Sequence, residues 1–516
     1  MLTMRTSTRL LILLVLSSGM LTLSVSCKKQ SGEALPNIIY ILADDLGYGD
    51  VSAMNPESGW ETTYIDQIAK EGIRFTDAHT GSAVCSPTRY GVLTGRYSWR
   101  TSLKQGVLWS WDPALIQQED ITVGKLLQEK GYTTACVGKW HLGLGWQYHA
   151  ANPDSVDFSR KVTGGPTTLG FDYFFGITAS LDIPPYVYLE NDRPTRIPVN
   201  YTMNASDFGW WRKGLTGDDF EHEQVLPVLT SKALAFIDRH MEAKPSEPFF
   251  LYFPLPAPHT PILPTDEFKG KSATNAYGDF MLQVDYTVGQ ILKSLEDHEI
   301  SEKTLIIFTS DNGCSPQANF AELARYGHNP SFHFRGHKAD IFEGGHRVPF
   351  LARWPGKINA GTENHQVICL TDLLATVADI TGTESDPAAG VDSYSLLPAL
   401  LGESEQVVRE ATVHHSINGS FAIRKGPWKL ILCPGSGGWS YPKPDFQGIE
   451  KLPPFQLYNL DKDIGEYENV VDQYPEIVNE LSELLRQYIE NGRSTPGPTQ
   501  ANVVSETWPG LTWMSD

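Results

Sequence analysis

Asn37-Ile38-Ile39-Tyr40-Ile41-Leu42, followed at once by Ala43-Asp44-Asp45-Leu46-Gly47, is the stretch on which the fold turns. Its apolar run shows no polar alternation, so it reads as a strand buried on both faces, the condition of a parallel sheet covered by helices. The two carboxylates behind it stand where open α/β sheets bind ligands, at the carboxyl ends of strands. A helical pattern follows at 63–71, and the alternation recurs downstream. Helix 122–130 precedes strand 132–138, a helix near 225–240 precedes 249–253, and a long helix near 277–297 precedes 304–309. The expected class is α/β, with a large, mainly parallel mixed sheet flanked by helices.

From about residue 407 the rhythm changes. Short strand candidates at 420–423, 428–432 and 456–459 and an amphipathic helix at 475–491 predict a small C-terminal α+β subdomain with a short antiparallel sheet. The division read from the sequence is an export signal at 1–26, a linker at 27–36, a main site-bearing domain at 37–405 and a C-terminal subdomain at 406–516.

The 516 residues, 41% hydrophobic and 20% charged, suit a folded chain with a sizeable core. A net charge of -20 argues against a nucleic-acid binder, which needs a Lys/Arg excess, but leaves room for a local anion site. Arg5 and Arg9 precede an apolar run ending in Leu23-Ser24-Val25-Ser26-Cys27. This reads as a lipoprotein-type signal whose Cys27 is lipidated, placing the protein in the periplasm or at the cell surface on an outer-membrane or cell-surface lipid anchor. Ordinary cleavage after Ser26 is the competing reading. The remaining cysteines, 85, 136, 314, 369 and 433, are odd in number, so one thiol is expected to have another fate, and no C-x-x-C pair suggests thiolate zinc.

The polar residues behind the apolar runs form a consistent set. Asp44 and Asp45 follow the first strand, Lys139 and His141 the second, His259 the third, and Asp311 and Asn312 the fourth. Cys85-Ser86-Pro87-Thr88-Arg89 opens a helix, and Lys338 lies in a glycine-flanked loop. Each alone has an ordinary explanation as a turn or a buried thiol. Together they describe a hard-cation site of oxygen donors, better suited to Ca2+ than to the stricter Mg2+, beside a cationic anion site.

Cys85-Ser86-Pro87-Thr88-Arg89, continuing to Leu93-Thr94-Gly95-Arg96, resembles the signature of the type I, formylglycine-dependent sulfatases, in its arylsulfatase A and N-acetylgalactosamine-6-sulfatase groups. Thr88 stands where many members have Ser or Ala. Ala43 to Gly47, Gly138 to Gly143, Pro258-His259-Thr260-Pro261, Ser310 to Gly313 and Lys338 to Gly345 follow in the family order. The resemblance implies an alkaline-phosphatase-like sandwich, and a maturase that oxidises Cys85 to formylglycine (3-oxoalanine). It implies Ca2+ held by Asp44, Asp45, Asp311, Asn312 and the modified Cys85. It assigns Arg89 to the formylglycine hydrate and Lys139 and Lys338 to the sulfate oxygens. His141 and His259 move protons, with Asp311 helping to take the first one, in a reaction through a sulfated-enzyme intermediate.

The implied activity is sulfate monoester hydrolysis, exo-acting on a sulfated glycan, with a galactose- or N-acetylgalactosamine-type sugar as the expected substrate. His333, Arg335 and His337 flank Lys338 and are substrate candidates, and Trp109, Trp111, Trp210 and Trp211 lie in long irregular segments where aromatics stack on sugars or close a core. Two competing readings use the same residues: a formylglycine-dependent phosphonate or phosphate ester hydrolase, and an inactive lipoprotein that only binds sulfated glycans.

Overall fold

The strand Asn37–Asp44 (β1) lies at the centre of a ten-stranded sheet in the computed structural model, with all eight of its residues buried. The structure describes residues 34–149, 152–384, 386–403, 406–502 and 509–515. The export segment and Cys27 lie outside them. Residues from Leu35 onward form one compact unit, and no described helix is long and apolar enough to cross a membrane.

In chain order the other strands of this sheet are β2 (Ile73–Phe75), β3 (Thr133–Lys139), β4 (Tyr173–Ile177), β5 (Tyr188–Glu190), β6 (Arg193–Pro194), β7 (Phe249–Pro258), β8 (Thr304–Ser310), β9 (Phe350–Arg353) and β10 (Thr362–Asn364). Their spatial order is β10-β2-β9-β8-β1-β7-β3-β4-β5-β6. β1 runs parallel to both neighbours, with Ile38 opposite Phe250 of β7 and Leu305 of β8. β3 and β4 continue the parallel block, while β9 pairs antiparallel with β8 and β5 antiparallel with β4, so the sheet is mainly parallel and mixed.

Alternate β1 side chains enter two cores, as the two-residue period of a strand requires. Ile39 and Ile41 pack with Leu229, Ile237, Phe280 and Val284 of the helices Val225–Ala243 and Ala276–Asp297. Ile38, Tyr40 and Leu42 pack on the other face with Val92, Leu127 and Val377. A separate antiparallel sheet, Thr412–His415, Phe421–Lys425, Trp428–Ile431 and Gln456–Asn459, is covered by the helix Pro475–Glu490 through Leu481, Leu485 and Ile489. Three of these strands match the sequence expectation, and Thr412–His415 adds a fourth. Trp211 likewise departs from the irregular segment expected, because it opens a strand, Trp211–Thr216, paired with Asn200–Asn204.

Between the two sheets lies a buried charge network. Arg424 binds Asp77 through both terminal nitrogens at 2.6 Å, and Lys429 lies 3.0 Å from Glu343 and 2.8 Å from Glu466. His79, His346 and His414 pack into it, the last two stacked at 3.9 Å. Burial, then neighbouring cations or histidines for His346 and His414, holds these imidazoles below their ordinary value, and burial holds His415 down to about 4. The unfolded chain therefore binds protons below about pH 6.5 that the native state refuses, so this contribution to stability is whole above that pH and lost as pH falls toward the folded values. The unfolding free energy from urea titration is expected to fall between about pH 7 and pH 5, by up to ~1.4 kcal/mol per pH unit for each histidine. Glu466 and Asp285, raised by burial to about 7, take up protons in the fold over the same window and oppose this fall, so imidazole NMR titration decides it: protonation of these histidines near pH 6.5 in the folded protein would mean that they titrate normally there.

Candidate active site

The sheet topology delivers the polar residues to one edge. Asp44 ends β1, Lys139 ends β3, His259 follows β7, and Asp311 and Asn312 follow β8. Asp45 and His141 turn out of their strands at φ of 63° and 56°, left-handed values that bring the side chains back over the strand ends. Gly138, beside Lys139, has φ 141°, and a Cβ there would lie 1.9 Å from the Pro254 carbonyl oxygen, so only glycine lets β3 and β7 approach this closely. Cys85 is the first residue of the helix Cys85–Thr94, and Arg89 lies one turn further along.

Three carboxylates face three cations here, all buried. Lys139 Nζ donates to Asp44 at 2.6 Å, and Lys338 Nζ lies 2.6 Å from Asp45 Oδ1. Arg89 donates from Nε at 3.0 Å and Nη2 at 2.7 Å to Asp311 Oδ2. Burial pushes the Asp44 carboxyl up, but Lys139, His259, Arg89 and Lys338 together hold it well below the usual carboxylate range. Asp311 goes the other way, raised to about 6 by burial and by the Asp44 carboxylate.

Cys85 Sγ sits 3.6 Å from Asp44 Oδ1. Burial pushes its thiol up to about 12 despite the nearby lysines. It is a neutral thiol, the poorly nucleophilic form of cysteine. Ligand-capable atoms of Asp44, Asp45, Cys85 and His259 all lie within 4.8 Å of one another. Asn312 donates through Nδ2 to Asp45 at 2.8 Å, while its Oδ1 is buried with no partner. That oxygen, beside three carboxylates, could complete a set of oxygen donors of the kind that suits a hard cation.

The two histidines differ. His141 donates from Nε2 to the Leu108 carbonyl at 2.7 Å, leaving Nδ1 buried and unpartnered. Burial, with Lys139 and Arg89 close by, holds it well below its ordinary value, so it is a neutral base with a free lone pair. His259 Nδ1 lies 2.5 Å from the Thr260 carbonyl, and its Nε2 is 3.5 Å from Asp45 Oδ2.

All the residues singled out for metal and anion are thus brought together. The flanking substrate candidates are not equivalent. His337 donates from Nδ1 to the Lys338 carbonyl at 3.0 Å and its ring meets that of Phe320 edge-on at 5.6 Å. His333 is exposed, its ring 3.9 Å from Phe332. Arg335 is turned away to the C-terminal sheet, where it donates to the Glu466 carbonyl at 2.6 Å and stacks 3.8 Å over Phe342. Trp109, Trp111 and Trp210 are 47%, 38% and 38% exposed, whereas Trp211 stacks on His222 at 3.9 Å.

Sequence reasoning missed the supports. Ser86 Oγ accepts the Leu108 N–H at 3.1 Å, fixing the carbonyl that orients His141. Ser310 Oγ accepts the Leu46 N–H at 3.1 Å and donates to the Asn312 carbonyl at 2.9 Å, tying the two acidic turns together. Both serines lie within the quoted motifs, which was the available signal.

Carboxylates and an unpaired carboxamide oxygen beside buried lysine and arginine, at the carboxyl ends of a parallel sheet, define a hydrolase site built for an anionic ester. Comparison with known proteins narrows the class. The family described as sulfatase matches residues 36–383, and the family described as N-sulphoglucosamine sulphohydrolase, C-terminal, matches 334–491. An N-acetylgalactosamine-6-O-sulfatase of Bacteroides thetaiotaomicron is 35% identical over 488 residues, covering 87% of this chain and 92% of the relative. Arylsulfatase A of Homo sapiens is 32% identical, covering 90% of each chain. A solved Bacteroides thetaiotaomicron structure, described in connection with the metabolism of multiple glycosaminoglycans, superposes with a TM-score of 0.77 at 33% identity, over 88% of this chain and 99% of that one. The chain belongs to the sulfatase family and is a sulfuric ester hydrolase.

Proposed function

We propose that the protein is an exported carbohydrate sulfatase that removes sulfate from a galactose- or N-acetylgalactosamine-type sugar in exo fashion. The observation that carries the mechanism is Cys85: a neutral, fully buried thiol at a helix head, surrounded by the charges an ester hydrolase needs and useless to them as a thiol. Its setting in Cys85-Ser86-Pro87-Thr88-Arg89 supports conversion to formylglycine by a maturase. That group supplies two hydroxyls on one carbon once hydrated, one to attack sulfur and one kept for release of sulfate.

Asp44, Asp45, Asp311 and Asn312 would hold Ca2+ together with the modified Cys85, and the unpaired Asn312 Oδ1 supports this. A bound Ca2+ supplies Lewis-acid polarisation and two positive charges to a site whose own side chains nearly cancel. Lys139 and Lys338 then face the sulfate oxygens, opposing the charge that grows in the transition state, while Arg89 holds the position of residue 85. Asp311, whose charge lies close to residue 85, takes the first proton. His259 protonates the departing sugar oxygen, with Lys338 assisting. His141, kept neutral with a free Nδ1, takes the last proton. The sugar assignment is supported by the Bacteroides relative whose name gives N-acetylgalactosamine-6-O-sulfate chemistry.

Cys85→Ala is expected to abolish sulfate release from 6-sulfated N-acetylgalactosamine while leaving the unfolding midpoint close to wild type. Mass spectrometry of the wild-type peptide should find an aldehyde in place of the thiol; full activity with an unmodified Cys85 would refute the mechanism. Chelation should remove activity, and Ca2+ should restore it better than Mg2+. Equal recovery with either ion would remove the calcium assignment. Export on a lipid anchor at Cys27 is part of the proposal, resting on the sequence around it. Cys27→Ala should shift the protein from the membrane fraction to the soluble one, and an unchanged membrane fraction would argue against lipidation.

A further inference from the structure

The loops that carry the two histidines are joined by a segment that the mechanism does not use. Three residues beyond His259, the Ile262 N–H donates to the Phe208 carbonyl at 2.7 Å. On the other side, the His141 N–H donates to the Thr178 carbonyl at 3.1 Å, and four residues later Asp182 meets Arg212. The Arg212 Nη1 pairs with Asp182 Oδ2 and also donates to the Asp182 carbonyl at 3.1 Å. Residues 208–212 therefore bridge from the His259 loop to the His141 loop, along the rim of the site.

Three features of this bridge point to a ligand. Asp182 is only 9% exposed, and its Oδ1 is buried without a hydrogen-bond partner, a costly state unless something binds there. Among the described residues, the side-chain hydrogen bonds of Arg212 run only from Nη1, and its side chain remains 38% exposed. Its guanidinium lies 4.7 Å from the Trp210 ring centroid and 5.2 Å from that of Trp109, two indoles 38% and 47% exposed. Trp109 directly follows Leu108, whose carbonyl accepts the His141 Nε2–H. The pair is held rigidly, since the buried Tyr186 hydroxyl donates to the Arg212 carbonyl at 2.7 Å and lies 3.1 Å from that of Asp182.

We propose that Asp182 and Arg212, with the Trp109 and Trp210 rings, form the wall that recognises the sugar bearing the sulfate ester. A carboxylate oxygen accepts from one ring hydroxyl, the open guanidinium N–H groups donate to its neighbour, and the indoles cover the C–H face. The Asp182 charge offsets that of Arg212, so the wall favours a neutral hydroxylated ring over a second anion. This inference rests on the carbohydrate sulfatase reading above and names the residues that select its substrate.

The test compares the KM for 6-sulfated N-acetylgalactosamine with the inhibition constant of inorganic sulfate, which reaches the anion site without a sugar. Arg212→Lys, Asp182→Asn and the surface variant Trp210→Ala should each raise KM about tenfold or more, with the sulfate inhibition constant within about twofold of wild type. Trp210→Ala removes a side chain from the rim, so it keeps the test valid if either change in the ion pair disturbs folding. KM values unchanged in all three variants, in an enzyme that does release sulfate from the sugar, would overturn the wall alone. No release by wild type from any sulfated sugar would overturn the carbohydrate reading on which it stands.

Discussion

Three carboxylates, two lysines and an arginine, brought in by the ends of β1, β3 and β8, one helix and one loop, are buried together, and the rest of the site follows from the need to keep that cluster neutral. Removing any one of these charges from water without partners is prohibitive, and an unpaired one left behind costs several kcal/mol. Asp44, Asp45 and Asp311 must therefore come with Lys139, Lys338 and Arg89. The near balance also explains the chemistry. Side chains that cancel one another leave little net field, and the Asn312 Oδ1 without a hydrogen-bond partner lies beside a group of ligand-capable atoms that could hold a metal ion.

The parallel sheet makes this cluster possible because successive strands all end on the same side. β8, β1, β7 and β3 lie next to one another and present Asp311, Asp44, His259 and Lys139 in that spatial order. The supports are short-range. The Asp45 N–H donates to Asp311 Oδ1 at 3.2 Å, and the Tyr277 hydroxyl reaches the Asp45 carbonyl at 3.3 Å, so the acidic turn is fixed from both sides.

The C-terminal sheet takes part through the loop that carries Lys338. Arg335 anchors that loop to the Glu466 carbonyl, and Asp340 accepts the Trp439 and Ser440 N–H groups at 2.7 and 2.9 Å. The Ile341 N–H donates to the Ser436 carbonyl at 2.8 Å. Arg335, three residues before Lys338, thus ties the Lys338 loop to the C-terminal part of the chain. The buried histidine and charge network nearby gives the same junction its expected sensitivity to acid.

The sequence by itself determined the α/β class, because the apolar run at β1 and its repeats have only one environment that suits them, and it determined the identity of every charged residue in the cluster. It also carried the family, through the Cys85 to Arg96 signature. The sequence did not settle which polar residues near the site face it. The tertiary structure turned Arg335 toward the second sheet, kept His337 on the Lys338 backbone, put Trp211 into a hairpin, and brought Asp182 and Arg212 between the two histidine loops. The reason is physical: a strand end fixes where a residue such as Asp44 lies, whereas a side chain on a long loop takes its direction from partners more than a hundred residues away, as Arg335 does from Glu466.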